Sequence, residues 1–190
     1  EGAEPPRPEP VAGEERVAAR YVEMARGLRR GGDYEGAVGA RRHARELLAE
    51  LAETGRETAG GRRSRLDCDN DLAWLLATRP DPEPGDREEA VELARASAEA
   101  EPDDPSYWNT LALALSRAGL DDDALAAAQR SMELEASWNA YDLAVLALAL
   151  ARLGRRDEAG RWLAEAVARR DRHDPTLDAL TAEAEAALRP

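Results

Sequence analysis

The chain has 190 residues with 39 acidic and 26 basic side chains, and its net charge of −13 disfavours nucleic acid or an anionic membrane surface as the main partner. Its longest apolar run, residues 143–151, is far shorter than the roughly 18 residues that a membrane span needs, so no membrane association is expected. The single cysteine, Cys68, excludes an intramolecular disulfide and, with no visible signal peptide, favours a cytoplasmic protein.

The first thirteen residues form a segment unlike the rest of the chain. They read EGAEPPRPEPVAG and contain four prolines and three glutamates, with almost no bulky apolar side chain. Such a composition cannot offset the entropy lost on ordering, so we predict a disordered linker over 1–13. Because the chain begins with Glu1 and not with Met, we expect it to be part of a larger multidomain protein.

From residue 14 onward apolar residues recur at spacings of three and four, which is the helical period, and no sustained strand-like alternation is found. The pattern therefore predicts an all-α chain. Its breaks are a Gly-Gly pair at 31–32, a glycine-rich connection over 55–65 that we interpret as a hinge, and a proline-rich turn over 79–85. The predicted helices span 14–30, 34–53, 66–78, 87–101, 105–118, 121–135, 139–153, 156–171 and 175–188.

One local pattern occurs three times, a glycine that precedes an alanine by five residues at the start of an apolar helical face. It spans residues 32–37, 119–124 and 154–159. Recurrence of one pattern indicates a repeat protein, in which similar helix pairs stack to bury a core and leave a concave surface for a partner.

The third helix pair carries the family resemblance. It reads Trp108-x-x-Leu111-Ala112, followed by Gly119 and Ala124, and it resembles the tetratricopeptide repeat, a helix-turn-helix unit of about 34 residues. The fourth pair repeats this register 35 residues further on, beginning at Leu143, whereas the first pair is divergent and the second has a stretched turn. The sequence from 72 to 82 also resembles bacterial repeat regions attached to larger signalling proteins such as serine/threonine kinases.

The resemblance implies a right-handed α-solenoid of about four repeats, over 14–53, 66–101, 105–135 and 139–171. A capping helix over 175–188 closes the array, and all of these elements form one domain over 14–188. Trp108 shares a helical face with Leu111 and Leu115, so we expect its side chain to fill the core.

In this family the first helix of each pair lines the concave groove, which implies a set of groove contacts in this chain. The mixture of arginine, asparagine and apolar side chains suits a peptide that bears acidic and hydrophobic groups. For Trp74 the alternative is packing beneath the stretched turn. The implied contacts are Arg26, Arg29, Asn70, Trp74, Asn109, Leu113, Ser116, Leu148 and Arg152.

No motif points to catalysis, a metal or a cofactor. Asp67, Asp69 and Asp71 resemble the start of a calcium loop, but Leu72 replaces its glycine and Thr78 stands where its bidentate glutamate belongs. The two histidines, His43 and His173, are isolated from each other and from the cysteine. The hypothesis is therefore a monomeric, non-enzymatic scaffold that binds a protein or peptide. A structural or oligomerisation module of a larger protein and a small-molecule sensor remain as alternatives.

Overall fold

The computed structural model describes residues 12–135, 138–170 and 174–189, and all regular secondary structure in these ranges is α-helical. The predicted all-α fold is thereby confirmed. None of the described helices is long and apolar enough to cross a bilayer. The helices are α1 (Ala12–Arg30), α2 (Tyr34–Glu53), α3 (Ala59–Thr78), α4 (Asp86–Ala100), α5 (Pro105–Arg117), α6 (Asp121–Leu134), α7 (Ala140–Arg152), α8 (Arg156–Ala168) and α9 (Pro175–Ala187).

Several helices begin where short polar side chains satisfy the free backbone N–H groups of the first turn. Asp104 accepts a hydrogen bond from the N–H of Ser106 at the start of α5, and Asp174 caps α9 in the same way. Each is followed by a proline, which has no N–H to satisfy. At α7, Asn139 and Asp142 form a reciprocal capping box. These caps account for the predicted starts of α5, α7 and α9.

The glycine of the repeated pattern ends a helix in each of its three occurrences. Gly32, Gly119 and Gly154 have φ angles of +83°, +79° and +75°, a left-handed conformation that residues with a Cβ rarely adopt. In each case the next residue donates its N–H to the carbonyl oxygen five residues earlier, as in the bond of 2.9 Å from Leu120 to Leu115. The chain thus reverses within two or three residues and starts the next helix.

The chain divides into two compact units, and the boundary falls inside α3, between Leu72 and Ala73. In unit 1, α1 packs against α2. The core of this unit consists of small and aliphatic side chains around a buried thiol. Its fully buried members are Ala18, Ala44, Leu48, Leu51 and Cys68.

Unit 2 is built around α7, which packs against α5, α6, α8 and α9. Every residue from 143 to 151 is buried, which explains why this helix is apolar on all sides. Successive pairs are α5 with α6 and α7 with α8, and α4 packs on α5. The grouping of these helices into four repeats and a single domain stays a prediction.

Predicted and observed helix boundaries agree within three residues except at the start of α3. We expected a hinge over 55–65, but α3 already begins at Ala59. The hydroxyl oxygen of Thr58 accepts a hydrogen bond of 2.8 Å from the N–H of Gly61, which caps the helix despite its glycine-rich first turn. Of the predicted linker, residues 12 and 13 belong to α1 and residues 1–11 lie outside the described chain, as do position 171 and His173.

The core position on α5 that we assigned to Trp108 belongs to its neighbour. Tyr107 is only 1% exposed, whereas Trp108 is half-buried and donates its indole N–H to the carbonyl oxygen of Pro102 at 2.9 Å. An indole that reaches a backbone carbonyl outside its own helix keeps one edge at the surface, so the expectation that Trp108 fills the core is wrong.

Candidate partner-binding surface

Two of the implied groove contacts lie inside the core of unit 2. Leu113 and Leu148 have exposed fractions of 0%. Both helices that carry them, α5 and α7, pack against neighbours on several sides, so these leucines stabilise the unit and present nothing to a partner. Periodicity did not separate them from surface positions because α5 and α7 are apolar around most of their circumference.

Asn109 is also buried, and its amide donates a hydrogen bond to the carboxylate of Asp142 at the start of α7. The second oxygen of Asp142 accepts a bond of 2.9 Å from the backbone N–H of Asn139. Burial raises the pKa of Asp142 to about 6, and Glu135 adds to the rise, while the bond from Asn139 opposes it. Asn109 therefore joins α5 to α7 within the unit.

Trp74 lies against Tyr141 of α7, with ring centroids 5.3 Å apart and the rings nearly perpendicular. Such an edge-to-face arrangement is favourable by about 0.5–1.5 kcal/mol beyond the area that it buries. Both side chains are half-buried, so part of each ring remains at the surface. Tyr141 was missed by the sequence analysis because it is the second residue of its helix, outside the repeated pattern.

A network of charged groups lies at the opposite end of α5 and α7. Arg152 donates from one terminal nitrogen to the backbone carbonyl and the hydroxyl of Ser116, and its other terminal nitrogen lies 2.5 Å from the carboxylate of Glu183 on α9. Arg117 contacts the same carboxylate and donates a hydrogen bond of 2.9 Å to the carbonyl of Ala77. The predicted residues Ser116 and Arg152 therefore meet, together with Arg117 and Glu183, which were not predicted.

The aromatic pair and the arginine pair lie on the same side of α7. Tyr141 and Arg152 are eleven residues apart, which is close to three full turns and about 16 Å along the helix axis. The arrangement can offer a half-buried aromatic contact at one end and two guanidinium groups at the other. We call Trp74, Tyr141, Arg117 and Arg152 the α7 surface of unit 2.

The remaining predicted residues belong to unit 1. Arg26 is exposed and forms an ion pair of 2.5 Å with Glu23 on the same helix, and Arg29 is half-buried. Burial raises the pKa of Asp71, while the positive charges of Arg41, Arg26 and Arg29 oppose this rise. Asn70 is buried, and its side-chain oxygen has no hydrogen-bond partner among the described residues.

The three aspartates at 67, 69 and 71 each face a different arginine, which explains them without a metal ion. Asp67 lies 3.2 Å from Arg63, Asp69 accepts a bond of 2.8 Å from Arg45, and Asp71 pairs with the buried Arg41. Between them, Cys68 is fully buried, and burial raises the pKa of its thiol to about 11. A thiol in this state is protonated at neutral pH and is a poor nucleophile.

No protein-family model matches the chain, and no curated protein is significantly similar to it. Solved structures do match. A putative kinesin light chain of Podosopora anserina with nearly identical TPR-like repeats matches in two crystal structures. One has 24% identity over 92% of this chain and 85% of its own, with a TM-score of 0.59. The other has 24% identity over 92% of this chain and 86% of its own, with a TM-score of 0.58. TTC0263, a thermophilic TPR protein of Thermus thermophilus, matches at 19% identity over 89% of this chain and 99% of its own, with a TM-score of 0.49.

These likenesses concern the fold. The chain is a helical-repeat protein built from stacked helix pairs. Its fold is that of the TPR-like repeat proteins, as the resemblance of the third and fourth pairs predicted.

Proposed function

We propose that the protein is an interaction scaffold and that unit 2 binds a short segment of a partner protein along the α7 surface. The observation that carries this proposal is that Tyr141 and Arg152 lie on one side of α7 and that each has a neighbour of the same kind, Trp74 from α3 and Arg117 from α5. The half-buried Trp74–Tyr141 pair supplies apolar area, and Arg117 and Arg152 supply positive charge about 16 Å away. Aromatic and arginine side chains of this kind carry much of the binding energy in protein interfaces.

The chemistry of the surface defines the segment that would fit. An extended peptide advances about 3.3 Å per residue, so the distance along α7 corresponds to about five residues. A hydrophobic side chain at one end would contact the aromatic pair, and an acidic side chain at the other end would approach the two guanidinium groups. Arg117 and Arg152 are already engaged by Glu183, the carbonyl of Ala77 and Ser116, and Arg152 lies 3.6 Å from Asp121. A partner carboxylate would therefore compete with these groups for the five N–H donors of each guanidinium.

The predicted contacts in unit 1, Arg26 and Arg29, form part of the proposal as a second surface with the same preference for acidic groups. Arg26 is exposed, and Arg29 makes no ion pair with a described residue. Both arginines interact electrostatically with Asp71. Five of the predicted contacts are buried and are assigned structural roles: Asn70, Asn109, Leu113, Ser116 and Leu148.

A selection from a phage-displayed library of random seven-residue peptides tests the α7 surface. The whole chain is used as bait, beside the variants Trp74→Ala and Arg152→Ala. The control variant is Trp162→Ala, because Trp162 forms a comparable edge-to-face pair with Trp138 elsewhere in unit 2, at 5.6 Å. Circular dichroism checks that every variant keeps its helical content.

We expect the parent protein and Trp162→Ala to enrich peptides that carry a hydrophobic and an acidic residue about five positions apart. A synthetic peptide from this pool should bind Trp74→Ala and Arg152→Ala at least about tenfold more weakly in fluorescence anisotropy, a loss typical of interface anchors. If Trp74→Ala binds the peptide as tightly as the parent does, the α7 surface is not the binding site.

A further inference from the structure

Helix α1 presents an apolar face that the described part of the chain covers only in part. Val17 and Met24 are 43% and 47% exposed, and they are two of the few large hydrophobic side chains in the described residues with such exposure. Tyr21 and Leu28 lie beside them and are half-buried, and Tyr21 borders the core of unit 1, where its ring lies 5.4 Å from that of His43. Spacings of four, three and four residues place all four side chains on one side of the helix, which we call the α1 face.

A second exposed face, on α9, has the same spacing but small side chains. Pro175, Ala179, Ala182 and Ala186 are all exposed, while the opposite side of the helix carries the buried Leu177, Leu180 and Ala184. We call these four exposed residues the α9 face. Without large side chains, this face allows another helix to approach closely.

We propose that the protein associates with itself through the α1 face of one molecule and the α9 face of a second copy, with the two helices antiparallel. In this orientation a single register places each of the four residues of the α1 face opposite one residue of the α9 face. The pairs are Val17 with Ala186, Tyr21 with Ala182, Met24 with Ala179, and Leu28 with Pro175. Each large side chain then meets a small residue, the alternation that lets two helix surfaces interdigitate.

Charge distinguishes this contact from other pairings between copies. α1 contains five arginines and three glutamates, a net charge of +2. α9 contains three acidic residues and no basic residue; Asp178 pairs with Arg170 and Glu183 with Arg117 and Arg152, which leaves Glu185 to meet a second copy. Contact between two copies of α1 would place like charges together, and contact between α1 and α9 joins opposite charges. The second copy therefore presents α9, and not α1, to the α1 face.

The flanking residues also select the antiparallel orientation. Arg20 lies on one edge of the α1 face, and Asp178 and Glu185 lie on the corresponding edge of the α9 face. The two edges fall on the same side of the contact only when the helices are antiparallel. Arg20 and Glu185 are both exposed, and neither forms an ion pair with a described residue. In the proposed register Arg20 and Glu185 are displaced along the helix axes by about two residues, or about 3 Å. An arginine side chain is long enough to span this distance.

The contact joins two different surfaces, so one such contact between two copies leaves an α1 face and an α9 face for further copies. A single helix face buries less than the roughly 1,000 Å² of a stable interface, so association is weak and concentration-dependent. The chain remains monomeric when dilute, and the contact is independent of the α7 surface and of the proposed function.

Cysteine crosslinking between two singly substituted full-length chains tests the contact and its register. Met24→Cys and Ala179→Cys are mixed in equal amounts, concentrated and oxidised, because a disulfide forms only between Cα atoms about 4.4–6.8 Å apart. The native Cys68 is fully buried and gives a low background. The control is a mixture of Met24→Cys with Ala186→Cys, whose partner position is displaced by about seven residues, or about 10 Å.

We expect a mixed disulfide dimer from the first mixture at a yield at least about fivefold above the control, since the control pair lies outside disulfide distance. Adding Arg20→Glu to the Met24→Cys chain should reduce the yield, and adding Glu185→Arg to its partner should restore it. A dimer of Met24→Cys with itself as the main product would overturn the proposal in favour of α1 pairing with α1. Equal yields from the two mixtures would overturn it outright.

Discussion

At the scale of single residues, the carboxylate of Asp142 links a helix cap to a contact between helices. It accepts hydrogen bonds from the amide of Asn109 on α5 and from the backbone of Asn139. Its burial raises its pKa to about 6 from 3.8, so the folded chain holds a proton at pH values where the unfolded chain has lost it. The protonated form of Asp142 therefore stabilises the folded state.

This linkage predicts a loss of stability as the pH rises. The contribution of Asp142 is fully present below pH 3.8 and disappears as the pH passes about 6. The side chain of the variant Asp142→Asn does not titrate, so the parent should lose about 2–3 kcal/mol of unfolding free energy relative to the variant between about pH 4 and about pH 7. Urea denaturation of both proteins across this range measures the difference. Parallel pH profiles would show that Asp142 titrates as an ordinary carboxyl.

The neighbouring residues Tyr107 and Trp108 differ in burial, and this difference should appear in their contributions to stability. Tyr107→Ala removes a side chain that is 1% exposed and should cost about 3–5 kcal/mol of unfolding free energy. Trp108→Ala removes a half-buried ring and its bond to Pro102 and should cost about 1–2 kcal/mol. Chemical denaturation of the two variants shows which substitution lowers the unfolding free energy more. A larger loss for Trp108→Ala would contradict the burial of Tyr107.

At the scale of elements, the ends of the helices depend on glycines with left-handed backbone conformations. Gly119 has a φ angle of +79°, and an added Cβ there would meet no atom within 4 Å, so the cost of Gly119→Ala comes from backbone strain alone. We expect a loss of about 1 kcal/mol. Gly160 lies inside α8 in equally open space, and Gly160→Ala should stabilise the protein by about 0.5–1 kcal/mol.

Thermal or urea denaturation of the two glycine variants provides a matched pair, because both add one methyl group without a steric clash. We expect Gly119→Ala to lower the free energy of unfolding and Gly160→Ala to raise it. If Gly119→Ala proved neutral, the turn between α5 and α6 would tolerate a conformation other than the left-handed one.

The elements that the sequence predicted are those with local causes. The glycine turns, the proline-led helix starts and the 3.6-residue period depend on neighbours within about five residues, and they located eight of the nine described helices to within three residues. α3 was the exception, because a capping contact from Thr58 outweighed the low helix propensity of Gly60 and Gly61.

The candidate site was predicted less completely than the fold, since its contacts join distant positions. Asn109 and Asp142 are 33 residues apart, and Arg117 and Glu183 are 66 apart. The helical period indicates which residues share a face, but it cannot show which face is covered by a third helix. For this reason Leu113 and Leu148 were assigned to the surface, and Arg117 and Tyr141 were missed.

At the scale of the whole molecule, the negative charge is unevenly divided. Residues 1–72 contain 13 arginines and 15 acidic residues, a net charge of −2, whereas residues 73–190 contain 13 arginines and 24 acidic residues, a net charge of −11. Repulsion among like charges within a compact unit opposes folding, and salt screens it. Unit 2 should therefore be stabilised by salt to a greater extent than unit 1.

Hydrogen exchange followed by mass spectrometry measures this difference within a single sample. Raising the NaCl concentration from about 0.01 M to about 0.15 M shortens the screening length from about 30 Å to about 8 Å. We expect slower exchange in peptides from unit 2 and little change in peptides from unit 1. The double variant Glu92→Gln/Glu99→Gln removes two exposed negative charges from α4 and should respond less than the parent. If unit 2 exchanged faster at the higher salt concentration, attractive ion pairs such as those of Arg117 and Arg152 with Glu183 would outweigh the repulsion.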